Sequence, residues 1–479
     1  MPQLPADCLN EIFEYLSDDK FTLHSCILVN RLWCEISVRI LWKNVWKYSA
    51  SSFSFSTLVA CLPNESKKLL RENGINISTP TFEFPTFDYA SFCKVLPIGE
   101  VYYKLGFFLE NQQLILSKNF KIGVDAIAQE IIKLFLRQIT SLKQLKISKF
   151  WQFLSWQTPN TNFVFYPEAK DCLKNLSELH CTSDISSEFF YQLSQLSHNI
   201  TILNIMIENH IPNGLTDLIS AQRCLKCSKI AIYDVLKDIT DLLLKKLPDT
   251  LTKLNLYGGG DNISLSFITS LINLEELQLE FGYSEWFKNF EILQHTIFPQ
   301  LQVLKIVNAC PKCESLIKFL ENNGKNLREI YLCEYSGYCD NSLNLAIANF
   351  CPILKKISTG IKNYELETLE IIFDGCQYLE SIKIWCGGLF LNDMRALQIV
   401  MKYSKNINEI VLDYRNNVRF KILPKELETI FMNNTSRKPF SLVVNNDFDI
   451  INSLDKNGEN IKIIEKYIKL GMIKRFKVY

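Results

Sequence analysis

Apolar residues recur along this chain with two different periods, and the change of period divides it. In LPADCLNEIFEYL, from Leu4, residues Leu9, Ile12, Phe13 and Leu16 stand at i, i+3, i+4 and i+7, one face of a helix. Pro5 suits a first helical turn, where its missing N–H is no loss, and Asp7 places negative charge near the positive end of the helix dipole. SDDK, from Ser17, breaks the pattern, and the run FTLHSCILVNRLWCEISVRILWKNVW that follows predicts two further helices. Such short helices carry more apolar surface than they can cover alone, which suits groove binding or helix pairing.

Residues 49–123 show weaker patterning. SSFSFST and ISTPTFEFPTF read as loops, with Pro80 and Pro85 blocking regular structure and Phe82, Phe84 and Phe87 expected to pack those loops onto a neighbour. STLVACLPNESKKLLRENG predicts one or two short helices ended by Gly74, and VDAIAQEIIKLFLRQI, from Val124, predicts an amphipathic helix.

From Leu142 the pattern becomes a repeat. LKQLKI (Leu142), LSELHC (Leu176), ITILNI (Ile200), LTKLNL (Leu251), LEELQL (Leu274), LQVLKI (Leu301), LREIYL (Leu327), LKKIST (Leu354), LESIKI (Leu379) and INEIVL (Ile407) all read apolar-x-x-apolar-x-apolar, with weaker last positions at Cys181 and Thr359. LKCSKI, from Leu225, is a degenerate copy. Successive starts from Leu176 differ by 24, 25, 26, 23, 27, 26, 27, 25 and 28 residues, which is the leucine-rich-repeat period. The middle of each unit predicts a short strand with its fourth and sixth positions inward, pairing in a parallel sheet. A helix then returns the chain on the outside, as in SLIKFLENNG (Ser315, stopped by Gly324), NSLNLAIANF and LETLEIIFDG. One unit cannot bury its own apolar face, but a stack buries a continuous core. An ordinary parallel α/β sheet also alternates strand and helix, but it rarely keeps a fixed period through so many units. The expected organisation is α/β: a helical module at 1–48, a helical and loop segment capping the stack at 49–123, the repeats at 124–457 with parallel strands on the concave face and helices on the convex face, and a C-terminal helix and strand cap at 458–479, its helix ended by Gly471.

Composition removes several classes of function. Lys plus Arg is 52 against 51 for Asp plus Glu, without the basic excess of a nucleic-acid binder. Asp7, Glu11 and Glu14 interrupt the first apolar run, so no signal peptide is expected, and no long uncharged apolar stretch predicts a membrane span. The 16 cysteines are scattered and are expected to be reduced thiols in a cytosolic or nuclear protein, where acceptor sites such as Asn199 and Asn262 would stay unglycosylated. There is no G-x-x-x-x-G-K-[ST], G-x-S-x-G or H-E-x-x-H motif, and Gly258-Gly259-Gly260 reads as a loop. Two C-x-x-C pairs, Cys224/Cys227 and Cys310/Cys313, stand about three repeats apart with no third and fourth ligand at zinc spacing, and they read as structural thiols. No metal, cofactor or catalytic group is expected.

The N-terminal pattern resembles the F-box family, on Leu4-Pro5, then Leu9, Ile12 and Leu16, then Val29-Asn30-Arg31-Leu32-Trp33, then Leu41-Trp42. Asn30 departs from the Cys or Ser frequent there. NFCPILKKI and DGCQYLESIKI, with Cys351 and Cys376, resemble the cysteine-containing repeats found behind F-boxes, so the whole chain resembles an F-box and leucine-rich-repeat protein of the expanded fungal type. The resemblance implies a three-helix F-box followed by a solenoid. It implies a non-catalytic subunit of an SCF-type ubiquitin ligase that docks a Skp-family adaptor, and through it a cullin, and holds a target protein for ubiquitin-dependent degradation. On the matching positions, Leu4, Pro5, Leu9, Ile12, Leu16, Leu28, Val29 and Trp33 are the expected adaptor contacts, with some of them instead closing the module's own core. The repeats' strand face carries charges of alternating sign, and Tyr257, Tyr331 and Trp385 on it are the expected target contacts. Neither nucleic acid nor membrane is an expected partner. The alternative is a repeat scaffold that binds a partner without ubiquitin transfer.

Overall fold

The structure, a computed structural model, describes residues 4–47, 52–72, 75, 85–111, 120–147, 160–208, 210–233, 244, 246–258, 263–332, 341–404, 406–415, 422–435, 437–447 and 449–479. The chain forms two compact units, Met1–Ser228 with Lys246–Pro248, and Lys229–Lys245 with Asp249–Tyr479. The division falls within the repeats.

The first unit opens with three helices, α1 (Ala6–Glu14), α2 (Lys20–Ile27) and α3 (Arg31–Lys43). Pro5 sits at the N-cap of α1, one residue before the helix, and its carbonyl accepts the Leu9 N–H at 3.1 Å. Asp19 caps α2 by accepting the Thr22 N–H at 3.0 Å. In the segment after them the short helices expected from Ser56 onward form, over Ser52–Cys61 and Asn64–Glu72, and only the start of the first, Ser52–Phe55, departs from its loop reading. Phe55, Leu58 and Val59 are buried, and tertiary burial outweighs the weak local helix preference of a serine- and aromatic-rich run. Phe87 packs on Tyr89 with ring centroids 5.7 Å apart, while Phe82, Phe84 and Gly74 lie outside the described residues. The expected amphipathic helix runs over Phe120–Gln138 and is buried on most of its surface.

Parallel strands follow. In the first unit Val95–Pro97 pairs with Gln144–Ile147, which pairs with Glu178–Thr182, which pairs with Ile202–Ile207. The sheet therefore begins at Val95, upstream of the first recognisable repeat. The fourth position of each repeat stays in one row, Leu96, Leu145, Leu179 and Leu203, all fully buried. In the second unit the same row runs Leu254, Leu277, Leu304, Ile330, Ile357, Ile382, Ile410, Leu442 and Phe476. Register is fixed because a one-residue slip would turn each strand's apolar set to the outer face. Each buried leucine contributes about 1.5–3 kcal/mol. Both units are stacks of leucine-rich-repeat type, with one strand per repeat and its apolar side covered. The returning segments are α-helices at Cys313–Asn323, Asn341–Phe350, Leu366–Gly375, Asp393–Tyr403 and Pro424–Met432. Between Leu265 and His295 they shrink to 3-10 turns, where only helices were expected.

Two rows of side-chain hydrogen bonds stitch consecutive repeats together. At the position three before the leading apolar residue, Ser197 donates to the Leu173 carbonyl at 2.8 Å, Gln222 to the Ser197 carbonyl at 2.8 Å, and the Cys376 thiol to the Cys351 carbonyl at 3.4 Å. Each acceptor is the matching position of the preceding repeat. Immediately before the leading residue, Asn273, Asn326 and Asn406 donate to the carbonyls of Asp249, Pro299 and Gln377 at 2.9, 2.9 and 3.0 Å. These bonds tie the backbone of each repeat to side chains of the next. They also give the repeat cysteines a structural role, and burial pushes the Cys376 thiol up to about 12.

Gly324 is not a left-handed stop, since its φ is −63°. It is small because a side chain there would meet the Phe350 carbonyl and the Cys351 sulfur. Gly471, by contrast, adopts φ +77° and ends the helix Gly458–Lys469 as expected. Cys310 corrects the expectation of reduced thiols throughout: it is disulfide-bonded, while Cys224, Cys227 and Cys313 are not in disulfides. Among the described residues no helix is long and apolar enough to cross a membrane, and no group of three or more His, Cys, Asp or Glu could hold a metal ion. Gly259 and Gly260 lie outside the described residues.

Candidate functional site

The three N-terminal helices close a small core from Leu9, Phe13, Leu23, Cys26, Ile36, Ile40 and Leu41, with Leu16, Leu32, Trp33 and Trp42 packed against it. Phe13 and Trp33 meet edge to face at 5.0 Å. Leu9 is 3% exposed, which corrects its assignment as a partner contact: with Phe13 it forms the buried side of α1, and Ile12 is left on the outer side. Leu16 and Trp33 are partly buried, and Leu4, Pro5, Ile12 and Val29 are exposed. Leu28, at the turn between α2 and α3, is 86% exposed. Tyr15 and Phe21 are 89% and 86% exposed and were not singled out from the sequence. The signal was present at Tyr15, which falls off the 9-13-16 face, but exposure at Phe21 depends on how α2 packs.

The module is fixed to the first strand of its unit. The Lys94 N–H donates to the Lys43 carbonyl at 2.9 Å, the Trp46 indole donates to the Val95 carbonyl at 2.8 Å, and Trp42 packs on Tyr89 at 4.6 Å. Its outer apolar residues are thus carried on a packed base rather than on a free tether.

The second unit presents a mixed-charge strand face. Glu276 lies between Lys253 and Lys305, at 3.3 and 2.6 Å. Burial raises its carboxyl, but the hydrogen bonds and charges of the two lysines outweigh that and hold it below the usual range. Lys356 pairs with Glu329 at 2.9 Å, Arg475 with Glu409 at 3.5 Å, and Asp413 with Lys383 and Arg415. Tyr331 is half-buried: its hydroxyl donates to Glu329 at 3.2 Å, and the Lys305 ammonium lies 5.8 Å from its ring centre. Tyr257 is half-buried beside Tyr233, with centroids 5.9 Å apart.

Trp385 is not on this surface. It is 0% exposed, its indole donates to the Ser358 hydroxyl at 3.3 Å, Phe390 packs edge-on at 5.3 Å, and the Arg415 guanidinium lies 5.4 Å from its ring centre. The chain after Cys386 turns back over the strand end, with the Leu391 N–H donating to the Ile361 carbonyl at 2.9 Å, and so covers a position that strand alternation alone sends to solvent.

The F-box-like family model matches residues 1–47, the span of the three helices and Trp46. Residues 1–47 are an F-box-like domain. No curated protein matches the chain. Among solved structures, the chain is similar to the crystal structure of the Rad7 and Elc1 complex in yeast, at 13% identity, 87% of this chain and 93% of that one, with a TM-score of 0.38. It is also similar to the leucine-rich repeat-containing protein LegL7 from Legionella pneumophila, at 14% identity, 55% of this chain and 91% of that one, with a TM-score of 0.34.

Within the F-box-like domain the departure at Asn30 has a physical reason. Asn30 is the N-cap of α3, and its side chain accepts the Trp33 N–H at 2.9 Å. Asn30→Ala is expected to lower the melting stability of the domain by about 1 kcal/mol, and Asn30→Ser to restore most of it, because only the cap acceptor is exchanged. Thermal melts of the three chains check this, and equal stability of the alanine and serine variants would remove the cap from the account.

Proposed function

We propose that this F-box protein is the substrate-recognition subunit of an SCF-type ubiquitin ligase. In this reading the F-box-like domain docks a Skp-family adaptor and through it a cullin. The repeats hold a target protein, and the chain itself carries no catalytic step. It would work in the cytosol or nucleus. The observation that supports adaptor docking best is that the domain completes its core without Ile12, Leu28 and Val29, which it leaves exposed.

The test uses full-length chain and a Skp-family adaptor. Ile12→Asp with Leu28→Asp is expected to cut adaptor capture at least tenfold without changing the melting profile, because neither side chain is buried. Leu9→Asp is unsuitable, since a charge in the core unfolds the domain whatever it binds. Unchanged capture by the double variant sinks the docking assignment. Deleting the protein should then lengthen the lifetime of at least one partner. Adaptor binding with no such partner would favour the scaffold reading.

A further inference from the structure

On the strand face the carboxylates Glu276, Glu329, Glu409 and Asp413 each have a lysine or arginine beside them. Glu280 does not: among the described residues no cation pairs with it, and its one side-chain bond is a 3.3 Å contact from the Gln278 amide. It stands directly across from Tyr257 in the sheet register. On the other side of Tyr257 is Tyr233, 42% exposed, and neither ring has a cation over it among the described residues. The three groups interact: burial raises the Tyr233 phenol, and Tyr257 and Glu280 raise it further. The pair of tyrosines is held by the backbone. Gly258 adopts φ +71°, and a Cβ there would lie 2.4 Å from the Ile232 carbonyl oxygen, so only glycine lets the two strand ends come this close.

We propose that Tyr233, Tyr257 and Glu280 form a binding site for an arginine side chain of a partner protein. The site offers a cation aromatic rings for its plane and a carboxylate that no cation of the described residues neutralises. The same face already contains a smaller version, with Lys305 over Tyr331 and against Glu276. There the cation belongs to the chain, and at Glu280 none of the described residues supplies one. The planar guanidinium can lie against the rings while its N–H donors face the carboxylate, whereas an ammonium matches only the charge. The proposal rests on the repeats binding a target, not on ubiquitin transfer.

The experiment measures retention of fluorescent 12-residue peptides by the immobilised full chain. Each peptide carries one central arginine in a neutral background, and its partners differ only by citrulline or lysine at that place. Arginine peptides should be retained at least fivefold over citrulline and at least threefold over lysine. Glu280→Gln should remove the preference over citrulline. Glu276→Gln, the same charge change at a carboxylate that already has its lysines, should leave it. Glu280→Lys should abolish retention by supplying an internal cation. Equal retention of arginine and citrulline peptides, equal losses in the two glutamine variants, or lysine retained as well as arginine would each overturn the proposal. Adaptor capture by the Glu280→Gln chain is measured alongside and should be unchanged. Absence of the arginine preference in a wild-type chain that still captures the adaptor thus rejects this site alone, and loss of adaptor capture in the wild-type chain rejects the receptor reading alone.

Discussion

Gly375→Ala is expected to destabilise the second unit by about 3 kcal/mol, at the upper end for an overpacked site. Gly375 ends the helix Leu366–Gly375, and a Cβ on it would lie 2.2 Å from the Ala348 carbonyl oxygen and 3.0 Å from the Ala348 Cα. The obstacle is backbone of the neighbouring helix Asn341–Phe350, which cannot rotate away as a side chain could. Relief requires the two helices to part, and the buried polar groups between these repeats leave little slack. Thr359 donates to Asn344 at 2.6 Å, Asn344 donates to the Gly360 carbonyl at 3.1 Å, and Thr368 donates to Asn341 at 2.6 Å. Chemical denaturation of wild-type and variant chains measures the effect. Gly458→Ala is the control, since a Cβ there meets nothing within 4 Å. If both substitutions shift the midpoint equally, close helix approach is not what Gly375 provides.

The second large effect depends on pH. Asp393 is 1% exposed, and its carboxylate accepts the Tyr414 hydroxyl at 2.6 Å, while the same hydroxyl accepts the Leu454 N–H at 2.9 Å. Burial raises the Asp393 carboxyl from 3.8 to about 6, against the opposing pull of the Tyr414 hydrogen bond. The folded state therefore binds the proton more tightly than the unfolded one. The stabilisation this provides is fully present below about pH 4 and is lost as pH rises through about 6, a span worth about 3 kcal/mol. Asp393→Asn keeps an acceptor for Tyr414 and cannot ionise. The variant is expected to lose the decline in stability between pH 4 and pH 6.5 and to exceed the wild type at pH 7.5. Melting curves across that range check it, and an unchanged slope in the variant would assign the decline to other groups.

The two surfaces differ in how much of them could be read from residues alone. In the F-box-like domain, helical spacing picked out the right segment. It could not sort Leu9 from Ile12, because both lie within one broad apolar stripe. The angle at which α1 meets α3 buries the first and leaves the second exposed. On the strand face, alternation placed Tyr257 and Tyr331 correctly but failed at Trp385, where a downstream loop folds back over the strand. Glu280 looked like any other charge in an alternating row. Its lack of a partner emerges only when register sets each carboxylate beside its neighbours.

The sequence by itself determined the architecture: the period of the apolar positions, near 25 residues, requires one strand and one return segment per repeat, because no single repeat can bury its own face. It also determined the three-helix start, through periodicity and cap residues acting over a few positions. Only the tertiary structure decided the start of the helix Ser52–Cys61, the strand at Val95–Pro97, the hydrogen-bond rows linking Ser197, Gln222 and Cys376 to earlier repeats, and the close approach at Gly375. Each of these depends on groups about 20 or more residues apart meeting in space. Local patterning carries no record of such meetings, since the free energy that fixes them belongs to the packed stack and not to any one repeat.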